Sequence, residues 1–176
     1  MNNSDHIYSN LDLKKLLIPI IVEQLLSCLM GTVDTMMVSN VGSAAISAVS
    51  LVDSINVLVI QALSALAAGG AILCSQYLGS HNEKSANHAA RQVLLVMAVL
   101  STALSLLCLI FRVPMLHFIF GKVEADVMAN SQVYFLFTLL SFPFIGLYDA
   151  GASIMRAQND SRRPMIISVI SNFLNI

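Results

Sequence analysis

Four carboxylates sit inside long apolar runs of this chain: Glu23, Asp34, Asp53 and Asp149. A charged Asp at the centre of a membrane helix costs roughly 2.5–3.5 kcal/mol on insertion scales, so each needs a compensating partner or a task. On an ideal helix, the step from Glu23 to Asp34 returns to within about 20° of the same face, at an axial separation of about 16 Å. Ser27 lies on that stripe, and Met30 flanks it. Such a line suits the wall of a water-filled cavity. The alternative is that each carboxylate caps a neighbouring helix or pairs with a buried donor. Asp53 and Asn56, spaced i, i+3, share a second face, either lining a cavity or meeting water at the membrane interface. Asp149 precedes Arg156 by two helical turns, near enough for relief by snorkelling.

Bond-making chemistry finds no support. His6, His81, His88 and His117 all lie outside the main apolar runs, and no HExxH, GxSxG or paired-cysteine metal spacing occurs. Cys28, Cys74 and Cys108 are isolated in apolar segments and read as small packing residues. No enzyme activity, cofactor or catalytic set is expected.

The elements that must position these groups follow from composition. Of 176 residues 57% are hydrophobic and 11% charged, against about a quarter charged in a soluble domain. Mean hydropathy is +0.79, so the fold class is an all-α polytopic membrane protein embedded in a lipid bilayer. A net charge of −1 and the lack of a basic run exclude a nucleic-acid partner. A bilayer core of about 30 Å takes about 20 residues of helix. Runs of that kind cover 16–38, 50–74 within a longer 44–78 segment, 93–111 and 133–155. A fifth, 165–176, is too short to cross, and a half-built helix leaves carbonyls unsatisfied in lipid. The functional unit is therefore expected to exceed this chain. The first run is too long for a signal peptide and reads as an anchor behind a cytoplasmic segment 1–15. In 112–132, LHFIF reads as an external interfacial turn.

With the N-terminus inside, Lys14, Lys15, Lys84, Arg91, Arg156, Arg162 and Arg163 are cytoplasmic and only Arg112 and Lys122 external. That asymmetry fits the positive-inside rule and supports both the spans and their direction; the expected location is the plasma (inner) membrane. Along SALAAGGAI, the pairs Ala65/Gly69 and Ala67/Ala71 predict close helix approach.

Several motifs in order then resemble one family. Pro19, the Asp of VDT fifteen residues on, and SNVGSAAISAVSL are similar to the first helix and loop of multidrug and toxic compound extrusion (MATE) transporters. AAGGAILCSQYLGSHNEKSAN resembles the family's second helix and its Gln/Gly turn, here Gln76 and Gly79. IMRAQNDSRRPM resembles its RxxGxxxxPM connection through Arg156, Arg162 and Pro164. Asn159 replaces the Gly, and Asn tolerates the same left-handed backbone. The resemblance covers nearly all of residues 13–176.

It implies a twelve-helix transporter of two six-helix lobes, of which this chain supplies four helices and the start of a fifth in the N-terminal lobe. It implies secondary active export of organic cations or other xenobiotics by antiport against H⁺ or Na⁺. Asp34 then belongs to a coupling-ion site with Asn175, Pro19 is a bending point, and Na⁺ at Asp34 is the sole metal expected. Glu23, Ser27, Met30, Asp53 and Asn56 are expected to line the cavity, and a further half of the same transporter is an implied partner. The competing readings are a lipid-linked oligosaccharide flippase of the same superfamily, a membrane-embedded enzyme and an inactive truncated product. Because the apolar runs contain no Lys or Arg, cationic cargo is favoured over a flippase's anionic one.

Overall fold

The computed structural model describes residues 10–121 and 123–175. They form five α-helices in the order α1 (Asn10–Ser39), α2 (Ser43–Gly79), α3 (Glu83–Phe120), α4 (Ala125–Ala157) and α5 (Arg162–Asn175), with no strand among the described residues. The first four are long and apolar enough to cross a membrane. In lipid, only a helix of this kind satisfies every backbone amide within its own segment. Helices α2 and α3, of 37 and 38 residues, reach about 55 Å at 1.5 Å per residue and outrun the hydrocarbon core. Tilt or projection into water absorbs the excess.

One expectation fails at the end of α3. LHFIF is not a turn: α3 continues through Pro114 to Phe120, and α4 already begins at Ala125. The connection shrinks to a few residues around Gly121, which ends α3 at φ +62°, a backbone region favourable to glycine. Pro114 merely omits one amide, and the apolar residues after it keep the helix going.

Two helix ends on the basic side share one device. After α2, the His81 amide donates to the Leu78 carbonyl at 3.0 Å and the Asn82 amide to Tyr77 at 2.9 Å. After α4, the Asn159 amide donates to Arg156 and the Asp160 amide to Met155, both at 3.0 Å. This is the paired closure of a Schellman motif, and it puts its C′ residue in the left-handed region. His81 has φ 57° and Asn159 φ 63°, so Asn159 does adopt the backbone for which the related motif uses Gly. The Asn82 side chain then accepts the Ser85 amide and starts α3.

The core is a three-helix cluster. Helix α4 packs most extensively against α2 and next against α3, while α1 leans chiefly on α5. Phe135, Leu139 and Phe142 of α4 are fully buried among Val52, Leu63 and Ala67 of α2 and Met97 and Leu116 of α3. Small residues set how closely these helices approach, as sequence suggested, but only in part at the positions it suggested. Ala67 and Ala71 are buried, whereas Ala65 and Gly69 face outward. The close crossings are at Gly70, where a Cβ would lie 2.5 Å from Val93, and at Gly146, where it would lie 2.6 Å from Ser101. One glycine along the helix from Gly69, the face has turned by about 100°, and that residue meets α3. A hydroxyl reinforces the α3–α4 seam, with Ser105 Oγ donating to the Leu139 carbonyl at 2.6 Å. Elsewhere Ser and Thr hydroxyls donate to carbonyls of their own helix, such as Thr35 to Gly31, which makes them tolerable in an apolar medium.

These crossings predict a contrast. Gly146→Ala must force Ser101 and α3 apart and should cost about 1–3 kcal/mol. Gly69→Ala, with nothing within 4 Å, should be neutral or stabilising by up to about 1 kcal/mol. Thermal unfolding of the two variants in detergent checks both.

Candidate functional site

The polar residues of four helices converge on one cavity. Its volume is about 650 Å³, within the range of small-molecule sites. Helix α1 contributes Glu23, Gln24 and Ser27, α2 contributes Gln61 and Ser64, α4 contributes Tyr148, Asp149 and Arg156, and α5 contributes Ser168, Ser171 and Asn172. Each set follows from helical spacing: i, i+3 and i, i+4 neighbours share a face, and Asp149 and Arg156 are two turns apart on one stripe of α4.

The central contact is an ion pair. One terminal nitrogen of Arg156 lies 2.8 Å from both carboxylate oxygens of Glu23. The Tyr148 hydroxyl donates to Glu23 Oε1 at 3.0 Å. Glu23 is 9% exposed, so its charge is largely withdrawn from water and held by one cation and one phenol. Of the two readings open for Glu23, cavity wall and paired group, the structure shows both together. Asp149 accepts a hydrogen bond from Ser64 Oγ at 2.5 Å, which joins α4 to α2 across the same cavity. Two carboxylates and one guanidinium leave a formal charge of −1 there when all three are ionised.

Arg156, read from sequence as part of the connection after the fourth apolar run, reaches the cavity. It occupies the last turn of α4, and its side chain, one-third exposed, reaches Glu23 of α1. An arginine stem spans more than one helical turn, so a residue assigned to a loop by position can place its charge well inside. Its Nε is buried without a hydrogen-bond partner among the described residues.

The other candidates fall elsewhere. Met30 and Asp34 do not line this cavity, which meets α1 only between Ile20 and Ser27. Asp34 shares the azimuth of Glu23 but sits about 16 Å further along the axis, where it is exposed. Asp53 and Asn56 form a separate network in the α2–α4 seam. Asp53 Oδ1 accepts from Tyr134 at 3.0 Å and from Asn56 at 3.2 Å. Asn56 is buried, and its own oxygen has no partner among the described residues. Asp34 late in α1, Asp53 in the first third of α2 and Tyr134 in the first third of α4 lie toward the same end of the helix group, which thus holds a second polar group. Pro19 is buried in an unbroken α1. It supplies no amide to the carbonyl one turn before it, the usual ground for a bend. The side chain of Asn175 lies outside the described residues, and Asn172, one turn earlier, borders the cavity. Among the described residues no group of three or more His, Cys, Asp or Glu is placed to hold a metal ion.

Sequence reasoning did not single out Tyr148, Ser64, Gln61, Ser168, Ser171 or Asn172. The Ser168, Ser171, Asn172 spacing is a polar stripe on an otherwise apolar helix, and it was available as a signal.

The MatE family profile matches residues 19–176. The chain belongs to the MatE family. It is 30% identical over 159 residues to the uncharacterized transporter YisQ of Bacillus subtilis, covering 90% of this chain and 34% of that protein. It is 26% identical over 165 residues to the probable multidrug resistance protein NorM of Thermotoga maritima, covering 94% and 35%. Among solved structures, it superimposes at TM-score 0.85 and 21% identity on a MOP superfamily transporter from Pyrococcus furiosus described as having a binding pocket of reverse polarity. It superimposes at TM-score 0.86 and 20% identity on a MATE structure in complex with MaD3S. Each superposition covers 93% of this chain and 36% of the other. This MatE chain thus has the helical fold of those transporters and spans about a third of the length of the curated relatives it matches.

The Glu23–Arg156 pair predicts strong coupling between two residues far apart in sequence. Glu23→Gln and Arg156→Gln should each destabilise the protein, and the double variant should recover about 1–3 kcal/mol relative to their sum. A double-mutant cycle on thermal or denaturant unfolding reads this directly.

Proposed function

We propose that this MatE chain forms the first part of a secondary active exporter of organic cations and other xenobiotics, working by antiport against H⁺ or Na⁺. The observation that carries the reading is the cavity walled by α1, α2, α4 and α5. It is polar, of drug-like volume, and formally negative because Glu23 neutralises Arg156 and leaves Asp149. The relatives named as multidrug resistance proteins agree with it in kind. In this reading the protein lies in the plasma (inner) membrane with its N-terminus cytoplasmic, and the rest of the transporter supplies the opposing wall.

Asp34 is the proposed coupling residue, with Asn175 as its proposed co-ligand. It alternates between holding the ion and being ionised, and substrate and ion favour different states of the transporter. Coupling arises only from such differential binding. The energetics suffice: one charge entering through about 100 mV releases roughly 2.3 kcal/mol, and each tenfold outward gradient of a neutral drug costs about 1.4 kcal/mol. Pro19 offers α1 a bending point between its two ends.

A flippase for anionic lipid-linked cargo needs cavity cations without partners. Arg156 is the one guanidinium here, and Glu23 already engages it. That pairing supports the cationic-cargo reading.

Efflux of a fluorescent cation such as ethidium from cells expressing the full-length gene tests the proposal. Asp34→Asn should abolish ion-dependent efflux while leaving the protein in the membrane. If efflux and its ion dependence survive the substitution, Asp34 is not the coupling residue.

A further inference from the structure

Of the two carboxylates in the cavity, Asp149 alone has an oxygen without a donor. Ser64 Oγ donates to its Oδ2 at 2.5 Å, which fixes the carboxylate between α2 and α4. Oδ1 accepts from no described residue, and it is not among the polar atoms sealed inside the protein. Asp149 lines the cavity, so that open oxygen is available there. Arg156, the cation nearby, directs its hydrogen bonds to both oxygens of Glu23 and none to Asp149. The cavity therefore presents one anionic acceptor, already oriented and lacking a donor.

Its surroundings say what kind of cation belongs there. The side chains of Gln24, Gln61 and Ser171 border the cavity and carry no hydrogen bond to a described residue. Asn172 makes only a long one, 3.5 Å, to Ser168. Amides and hydroxyls both donate and accept, so these groups are matched by cargo that carries hydroxyls or amides of its own. An apolar cargo strips their water and returns no hydrogen bond, which is unfavourable. The aliphatic part of the wall is small, Ile20 and Ile60. A quaternary ammonium is typically held in a cage of aromatic faces. Here Tyr148 is the one aromatic lining residue among the described residues, and its hydroxyl is tied to Glu23.

We propose that Asp149 is the specificity-determining residue of this cavity, accepting an N–H···O bond at Oδ1 from a primary or secondary ammonium on a polar amine that bears hydroxyl or amide groups beside its charged nitrogen. Gln24 and Gln61 meet those groups from α1 and α2, and Ser171 and Asn172 from α5. This rests on the reading of the cavity as the cargo site, and it narrows organic cations in general to those with a proton on the charged nitrogen. Charge alone still attracts a quaternary cation, but its methyl groups hold the nitrogen away from Oδ1 and it has no proton to donate. Quaternary dyes are then weaker cargo rather than excluded ones. Ser64 sharpens the discrimination by holding the acceptor in place before the ligand arrives.

The test is equilibrium binding to the full-length protein containing this chain, in neutral detergent with no ion gradient. Two fluorescent probes are compared: a dansyl-tagged diaminopropanol, which is a primary ammonium with a hydroxyl beside it, and its N-trimethyl counterpart of equal charge. The wild type should bind the ammonium probe about tenfold or more tightly than the trimethyl probe. Asp149→Asn should weaken both probes and shrink that ratio toward one, and Ser64→Ala should shrink it by a smaller factor. Gln61→Leu should reduce the preference for the hydroxylated probe over its deoxy analogue while leaving the methylation ratio in place. Each readout is a ratio within one variant, so an unfolded fraction cancels, and Ser64→Ala carries the test if Asp149→Asn does not fold. Equal binding of the two probes by the wild type overturns the proposal, as does binding of neither, or a ratio unaltered in Asp149→Asn. Failure of the export reading shows separately, as absence of ion-dependent efflux from cells with the binding ratio intact.

Discussion

The ion pair between Glu23 and Arg156 is the contact on which the arrangement of this chain turns. Helices α2, α3 and α4 hold one another through a shared apolar core, but α1 leans chiefly on the short α5 and only lightly on α2. In a bilayer, apolar side chains gain little by preferring another helix to lipid, so packing alone gives α1 a weak address. A carboxylate and a guanidinium held apart from water are different. Each is costly alone, and together with the Tyr148 hydroxyl they fix one azimuth and one depth of α1 against α4. The same pairing decides the cavity's electrical character, because it removes the positive charge and leaves Asp149.

The rest of the polar inventory obeys the same constraint. Asp149 is met by Ser64, Asp53 by Tyr134 and Asn56, and isolated hydroxyls turn back onto carbonyls of their own helices. The result is two polar groups at different depths. One, around Glu23 and Asp149, opens into a cavity. The other, around Asp53 and Tyr134, is knitted into the α2–α4 seam near the level of Asp34. In the proposed transport cycle the first receives cargo and the second borders the coupling ion, with Pro19-containing α1 running past both.

Much of the fold was legible because the membrane makes backbone satisfaction compulsory. Four long apolar runs had to be helices, and their count and order stand. The ends were less legible. LHFIF looked like a turn because Arg112 and Pro114 interrupt the hydrophobic run, yet neither residue stops a helix whose later side chains remain apolar. Asn159 was read correctly as a left-handed position because the chemistry of Asn is local. The site was only half legible, since periodicity gives azimuth and not partners. Glu23 and Ser27 could be placed on one face, and the depth that separates them from Asp34 was computable. That Arg156, at a helix end, would meet Glu23 depended on an interhelical distance that no single helix encodes. The Gly70 and Gly146 crossings were hidden for the same reason.

The most direct measurement is equilibrium binding of a fluorescent organic cation to the full-length protein at low ionic strength, compared across Glu23→Gln and Arg156→Gln. If Glu23 masks Arg156, then Glu23→Gln exposes a positive charge to the ligand and should weaken binding by about tenfold or more, while Arg156→Gln should leave it unchanged or tighter. Equal affinities in wild type and both variants, or the reverse order, would contradict a cavity whose charge is set by that pair.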